Sequence, residues 1–186
     1  MAAILLILRP QPGADASAAR ARDMGMEAVV APLFEIVPVK WEAPDPANVG
    51  AVVLTSANAP RHAGPQLDAF AHLPCYAVGE ATAAAAEEAG LAEVHTGPSD
   101  GAALIELLGE QGVERALHLC GRDNHPLEHP DVTLIRRIVY AAEPVYALPP
   151  QAEQAVANGA LALLHSPRAA ALFERLVIDK ARVAIA

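Results

Sequence analysis

"VVLTSANAPR" (Val52–Arg61) is an unbroken apolar run, a hydroxyl-bearing corner and the Ala-rich start of a helix. An apolar run without polar alternation reads as a strand buried on both faces, the habit of parallel sheets covered by helices. The same order returns in "ALLHSPRAAA" (Ala162–Ala171). Two such corners in 186 residues point to a repeated strand–corner–helix unit. The fold class is therefore α/β with parallel, doubly wound sheets.

Working outward, "ILLIL" (Ile4–Leu8) is a buried first strand. Asp15 or Ser17 is placed to cap a helix that stops near Gly25, and "EAVVAPLF" follows as a parallel second strand. After the first corner, Pro60 to Leu73 is predicted mostly helical and "CYAVG" a strand. "EATAAAAEEAG" is a helix stopped at Gly90, "EVHTG" a short strand, and "SDGAALIELLGEQG" a helix with an Asp or Ser cap. "RALHLCG" and "VTLIRRIVY" are strands separated by a polar loop. "QAEQAVANG" is a helix, "ALALLHS" a strand and "PRAAALFERLV" a helix. "KARVAIA" is predicted as a last strand, because aligning Ser56 with Ser166 sets "RVAIA" opposite "CYAVG".

Two stretches break the rhythm. "PLFEIVPVKWEAPDP" (Pro32–Pro46) and "VYAAEPVYALPP" (Val139–Pro150) are extended and punctuated by proline, which confines them to edges or linkers. Two linkers imply a chain that leaves one domain and returns. The expected division is a first lobe of 1–35 plus 146–186 and a second of 36–145 carrying linker strands at both ends. Trp41 reads as a packing anchor between the domains.

A net charge of −9 argues against nucleic-acid binding, which needs a basic surface. A small anion is still within reach of backbone N–H groups and a few arginines. Cys75 and Cys120 read as small buried residues, not a disulfide framework. The apolar start is too short to span a bilayer and has no basic leader, so the cytoplasm is the expected compartment. His118, His125 and His129 match no common zinc spacing. There is no P-loop, dinucleotide fingerprint or G-x-S-x-G elbow, so neither a catalytic metal nor a covalent intermediate is expected.

In parallel sheets ligands sit beyond the carboxyl ends of the strands. The residues there are Arg9, Thr55-Ser56, Gly79-Glu80, Gly121-Arg122 and His165-Ser166. Helix N-termini present N–H groups and partial positive charge, Ser and Thr add hydroxyls, and Gly admits a close ligand. The same Ser and Thr also read as plain helix caps.

The order of "LRP", "LFEIVPV", "VVLTSANAPRHA", "YAVGEATAAAAEEAG", "LHLCGRDN", "RRIVYAAEPVY" and "LLHSPRAAALFERL" resembles the uroporphyrinogen-III synthase family over nearly the whole chain. The resemblance implies two flavodoxin-like lobes joined by a two-stranded linker, one lobe discontinuous, with the active site in the cleft between them. It implies a cofactor-free lyase that closes linear hydroxymethylbilane into a macrocycle with the last pyrrole ring inverted and water lost. It implies the upstream synthase as a transient partner, and no nucleic acid or membrane. The family's linker tyrosine maps to Tyr140, a hydrogen-bond donor to the departing hydroxyl; its alternative is a tyrosine packed between lobes. Thr55, Ser56, Thr82 and Ser166, the backbone at Gly79 and Gly121, and Arg9, Arg122 and Arg168 map to positions for the substrate's carboxylates.

The chain departs from the family pattern at Ala142, where Thr is common, and at Ser56-Ala57-Asn58, where Ser-Pro-Arg is common; here Pro60-Arg61 lies two residues on. Family sequences continue past "VAIA" with a corner, a helix, a strand and a last helix. The first lobe is therefore expected to lack one wall, and the 186-residue chain to turn over weakly or not at all. A non-catalytic two-lobe small-molecule binding protein is the alternative reading.

Overall fold

The computed structural model describes residues 4–97 and 100–183, the side chains of 179–183 excepted. From the amino end the elements are β1 (Ile4–Ile7), α1 (Gly13–Asp23), β2 (Glu27–Val30), β3 (Phe34–Pro38), β4 (Ala51–Leu54) and α2 (Asn58–Ala63). Next come β5 (Pro74–Val78), α3 (Glu80–Glu88), β6 (Glu93–Gly97), α4 (Gly101–Glu110) and β7 (Arg115–Gly121). The last are β8 (Thr133–Pro144), α5 (Pro150–Ala157), β9 (Leu161–Leu163) and α6 (Pro167–Val183). The chain divides into two compact units, one built from both ends (through Ile36 and from Glu143) and one formed by Val37–Ala142.

In the first unit β1 pairs in parallel with β2 on one side and β9 on the other. Leu5 and Ile7 point to one face of the sheet, against Ala14, Ala18 and Ala21 of α1. Alanine at every third or fourth position lets this helix lie close to the strands. Helix α5 packs against β1 and β2.

The second sheet has the order β3-β8-β7-β4-β5-β6. All of β4 is buried, as its unbroken apolar run requires. Val52 and Leu54 pack with Ala59 and Ala63 of α2, Ala83 and Ala86 of α3, and Phe70. Ala51 and Val53 face Leu104, Ile105 and Leu108 of α4. Each large apolar side chain buried in this way contributes roughly 1.5–3 kcal/mol. Helices on both faces make the sheet doubly wound. Counted in chain order from β4, strands β4 to β8 stand 3-2-1-4-5, so the winding reverses between β4 and β7. The step from β7 to β8, also parallel, is made by a loop instead of a helix.

Several elements differ from the sequence reading. Helix α1 begins at Gly13, ahead of both expected caps. Ser17 Oγ instead donates to the Gly13 carbonyl one turn back, and Asp15 accepts from the Gln11 side chain. The Pro60–Leu73 helix is broken: α2 ends at Ala63, Gly64 adopts φ +69°, and Gly64–Phe70 forms a 3₁₀ turn, because Gly64-Pro65 ends the α-helical ladder. The second linker is no separate segment in its first part; Val139–Pro144 continues β8. Strand β3 runs antiparallel to it, with Val39 N–H donating to the Val139 carbonyl and Val145 N–H to that of Leu33. Trp41 packs into the second unit's own core, its Nε1–H donating to the Ala63 carbonyl at 2.7 Å. The expected strand "KARVAIA" is overturned up to Val183, where α6 continues; residues 184–186 lie outside the described ones. The buried positions Ala169, Leu172 and Leu176 recur at helical spacing, and no glycine or proline interrupts the run from there to Val183.

Candidate active site

Where the winding of a parallel sheet reverses, neighbouring connections leave in opposite directions and open a crevice at the strands' carboxyl ends. In the second unit that place is the pair of corners Thr55-Ser56 after β4 and Gly121 at the end of β7. A cavity of about 300 Å³ lies there, lined by Thr55, Ser56, Val78, Asp100, Gly101, Gly121, Asp123, Asn124, His125, Leu127 and Tyr140.

Tyr140 is brought to the cavity by a fault in the β7–β8 ladder. The register shifts between Cys120 and Gly121, so that Gly121 pairs with Tyr140. The phenol ring then lies directly on Gly121: a Cβ there would sit 2.6 Å from Cζ and 2.9 Å from Oη. Burial pushes the Tyr140 hydroxyl above its usual range, and Cys120 and Asp123 push the same way, while its hydrogen bond with the Ser56 side chain opposes them. The phenol, neutral at its ordinary value, stays so here and keeps its O–H.

The hydroxyls of the β4 corner are themselves positioned. Thr55 Oγ1 lies 3.3 Å from Nε2 of His118, which is 2% exposed in β7. Burial, and then the charge of Arg136, push His118 down to about 4, so the imidazole is neutral. Ser56 Oγ accepts from Asn58 N–H at 3.3 Å, which uses a lone pair and not the hydroxyl hydrogen. On the opposite wall, Asn124 Nδ2 donates to the Gly121 carbonyl at 2.7 Å and to Cys120 Sγ at 2.9 Å. Asn124 Oδ1 is buried and has no hydrogen-bond partner among the described residues.

Of the residues expected at a site, Thr55, Ser56, Gly121 and Tyr140 share this cavity. Gly79 follows Val78 of the lining and caps α3 at φ +70°, and a Cβ on it would meet nothing within 4 Å. Arg122 N–H donates to the Tyr140 carbonyl, and its side chain is exposed. Thr82 is 5% exposed in the first turn of α3 and does not line the cavity. Three lie in the first unit. The Arg9 side chain folds over Gly13 at the start of α1. Ser166 caps α6, with Oγ accepting from Ala169 N–H at 3.1 Å. The Arg168 guanidinium lies 4.5 Å over the Phe34 ring and borders a second cavity of about 300 Å³ with Arg175.

Sequence reasoning missed Asp100, Asp123, Asn124, His125 and Leu127, and with them the supporting role of His118. The stretch "GRDNHPLEH" carries polar and proline residues typical of a solvated loop. Its one useful signal was its start at a strand's carboxyl end. Among the described residues no group of three or more His, Cys, Asp or Glu side chains is placed to hold a metal ion, and no helix is long and apolar enough to cross a membrane.

Strand order and the cavity at the reversal define a doubly wound α/β protein with a crevice at its strands' carboxyl ends. The chain belongs to the uroporphyrinogen-III synthase family, whose model matches residues 15–185. Its activity is that family's: a lyase reaction that closes the small-molecule tetrapyrrole hydroxymethylbilane to uroporphyrinogen III. Three solved Thermus thermophilus uroporphyrinogen III synthase structures are similar to it. A mutant selenomethionine form is 16% identical at a TM-score of 0.47, covering 86% of this chain and 69% of that one. A wild-type crystal form is 18% identical at 0.40, with the same coverage. A third is 20% identical at 0.39, covering 86% and 70%. At these values the assignment rests on the family model. No curated protein sequence matches significantly.

Proposed function

We propose that the cavity at the β4–β7 corners holds the hydroxymethyl end of the bilane, and that Tyr140 is the acid that carries its hydroxyl away. The observation that supports this most is the placement of Tyr140: a phenol that lines the cavity, resting on Gly121 and hydrogen-bonded to Ser56. The phenol donates its proton as the C–O bond breaks, and water departs. The pyrrole nitrogen's electron pair supplies the bond that replaces C–O, leaving an azafulvene-type cation. Asp123, close enough to act on Tyr140, favours positive charge there. The substituted carbon of the last ring attacks the cation, the spiro intermediate opens and recloses inverted, and the proton lost on rearomatising restores the phenol.

The substrate's carboxylates are assigned to other corners. The hydroxyls of Thr55 and Ser56 and the open backbone at Gly79 and Gly121 serve them in the second unit, with Arg122 at the rim. Ser166, Arg9 and Arg168 serve them in the first. Thr82, buried in α3, is left out of the set. Much of the acceleration comes from holding a flexible chain in one fold; such positioning supplies up to about 7–11 kcal/mol in favourable systems. The reading also places the reaction in the cytoplasm, with the upstream synthase as a transient partner that supplies the unstable bilane.

Tyr140→Phe tests the acid directly. General acids typically contribute at least 10²-fold, so type III formation from freshly generated hydroxymethylbilane is expected to slow by about that factor, with the circular dichroism spectrum unchanged. An unaltered rate removes the acid role.

A further inference from the structure

We infer that His62 is a positioning residue for Tyr140: its imidazole bounds the phenol ring from the side of α2 and keeps the hydroxyl on its line to Ser56. The inference rests on the reading above and adds a residue to which no role has been given. The two rings lie 6.3 Å apart between centroids, with their planes tilted by 39°. Aromatic pairs favour separations of about 4.5–7 Å, so the rings are in contact range and each limits the other's motion. Tyr140 packs on the face of the second sheet that carries Ala59 and Ala63 of α2. On that face α2 lies over β7, the strand of Gly121. The phenol thus meets the bare backbone of Gly121 in the sheet layer and the His62 ring in the helix layer. Gly121 admits the ring; His62 limits its swing away from the sheet.

The register of α2 makes the contact specific. Asn58 and His62 stand four residues apart, one above the other on the same side of the helix. Asn58 N–H donates to Ser56 Oγ at 3.3 Å. One short helix therefore holds both partners of the Tyr140–Ser56 hydrogen bond, the serine through Asn58 and the phenol through His62. Imidazole suits the place. His62 is half-buried, and its ring offers an apolar body inward with a polar edge for water. Burial, and then the charge of Arg61, hold its pKa below the usual histidine value, so the ring is neutral at pH 7 and sets no charge beside the phenol.

The test is a double-mutant cycle with the whole chain, read as type III formation from freshly generated hydroxymethylbilane with kcat and KM separated. A misplacement of about 1 Å at a reacting group can cost about 10²-fold, so His62→Ala is expected to lower kcat at least about fivefold, with KM changed less than about twofold. His62→Phe restores a ring without its nitrogens and is expected to return kcat to within about twofold of the wild type. In the Tyr140→Phe background, His62→Ala is expected to change the remaining rate by less than about twofold, because no hydroxyl is left to aim. Circular dichroism and urea midpoints check that each variant is folded; should His62→Ala not fold, His62→Gln removes the ring in its place. An unaltered kcat, a loss that His62→Phe shares, or a loss of equal size in both backgrounds overturns the inference and leaves the proposed function standing. If Tyr140→Phe itself leaves the rate unaltered, the acid role fails, and the role of His62 fails with it.

Discussion

At Gly121 the absence of a side chain decides where a phenol can lie. An added Cβ would come within 2.6 Å of Cζ in the Tyr140 ring, so the ring or the strand must shift. Gly121→Ala is expected to cost about 1–3 kcal/mol of stability, as overpacking does. It should also swing the hydroxyl off its line to Ser56. Type III formation should then fall at least tenfold with the fold retained, read by product chromatography alongside a denaturant midpoint. At this scale the sequence was half legible. Thr55, Ser56, Gly121 and Tyr140 carry hydroxyl, bare-backbone and phenol chemistry at strand ends, and the cavity gathers all four. Asn124 was not legible, because a lone Asn in a polar loop signals nothing until the loop's path brings it over the end of β7.

Among elements, β7 couples the core to the site through His118. Its side chain is buried in the strand, yet Nε2 reaches Thr55 on the corner after β4. In the unfolded chain the imidazole takes up a proton near 6.5, whereas in the fold it does so only near 4. The unfolded state thus binds more protons between those values, and stability falls as pH drops. The contribution is fully present above pH 6.5 and is lost progressively down to about 4. At about 1.4 kcal/mol per pKa unit, the loss is roughly 3 kcal/mol. Urea midpoints of wild type and His118→Leu, compared at pH 7 and pH 4.5, should reveal it. The wild type's advantage is expected to shrink by about 2–3 kcal/mol at the lower pH, and a constant difference would contradict the burial argument. Elements themselves were largely readable. Unbroken apolar runs gave the buried parallel strands, and Gly90 gave the end of α3 at φ +92°. "KARVAIA" was misread because an alignment of corners was trusted over the helical period of Ala169, Leu172 and Leu176. Trp41 was misread because aromatics in extended segments give no sign of which core they enter.

For the whole molecule, sequence pattern and strand order agree on an α/β architecture of parallel sheets, with β3 added antiparallel at one edge. What the pattern cannot convey is strand order, since apolar runs look alike wherever they sit in the sheet. The reversal between β4 and β7, and with it the place of the cavity, emerged only from the pairing. The central claim is that corners at this reversal hold a flexible polyanion so that its ends meet in one way. The direct measurement is the isomer ratio formed when the 186-residue chain meets freshly made hydroxymethylbilane. Type III product above the buffer background is the expected result, even at low turnover, with the excess abolished in Gly121→Ala. Type I alone, in the same proportion as without protein, would contradict it.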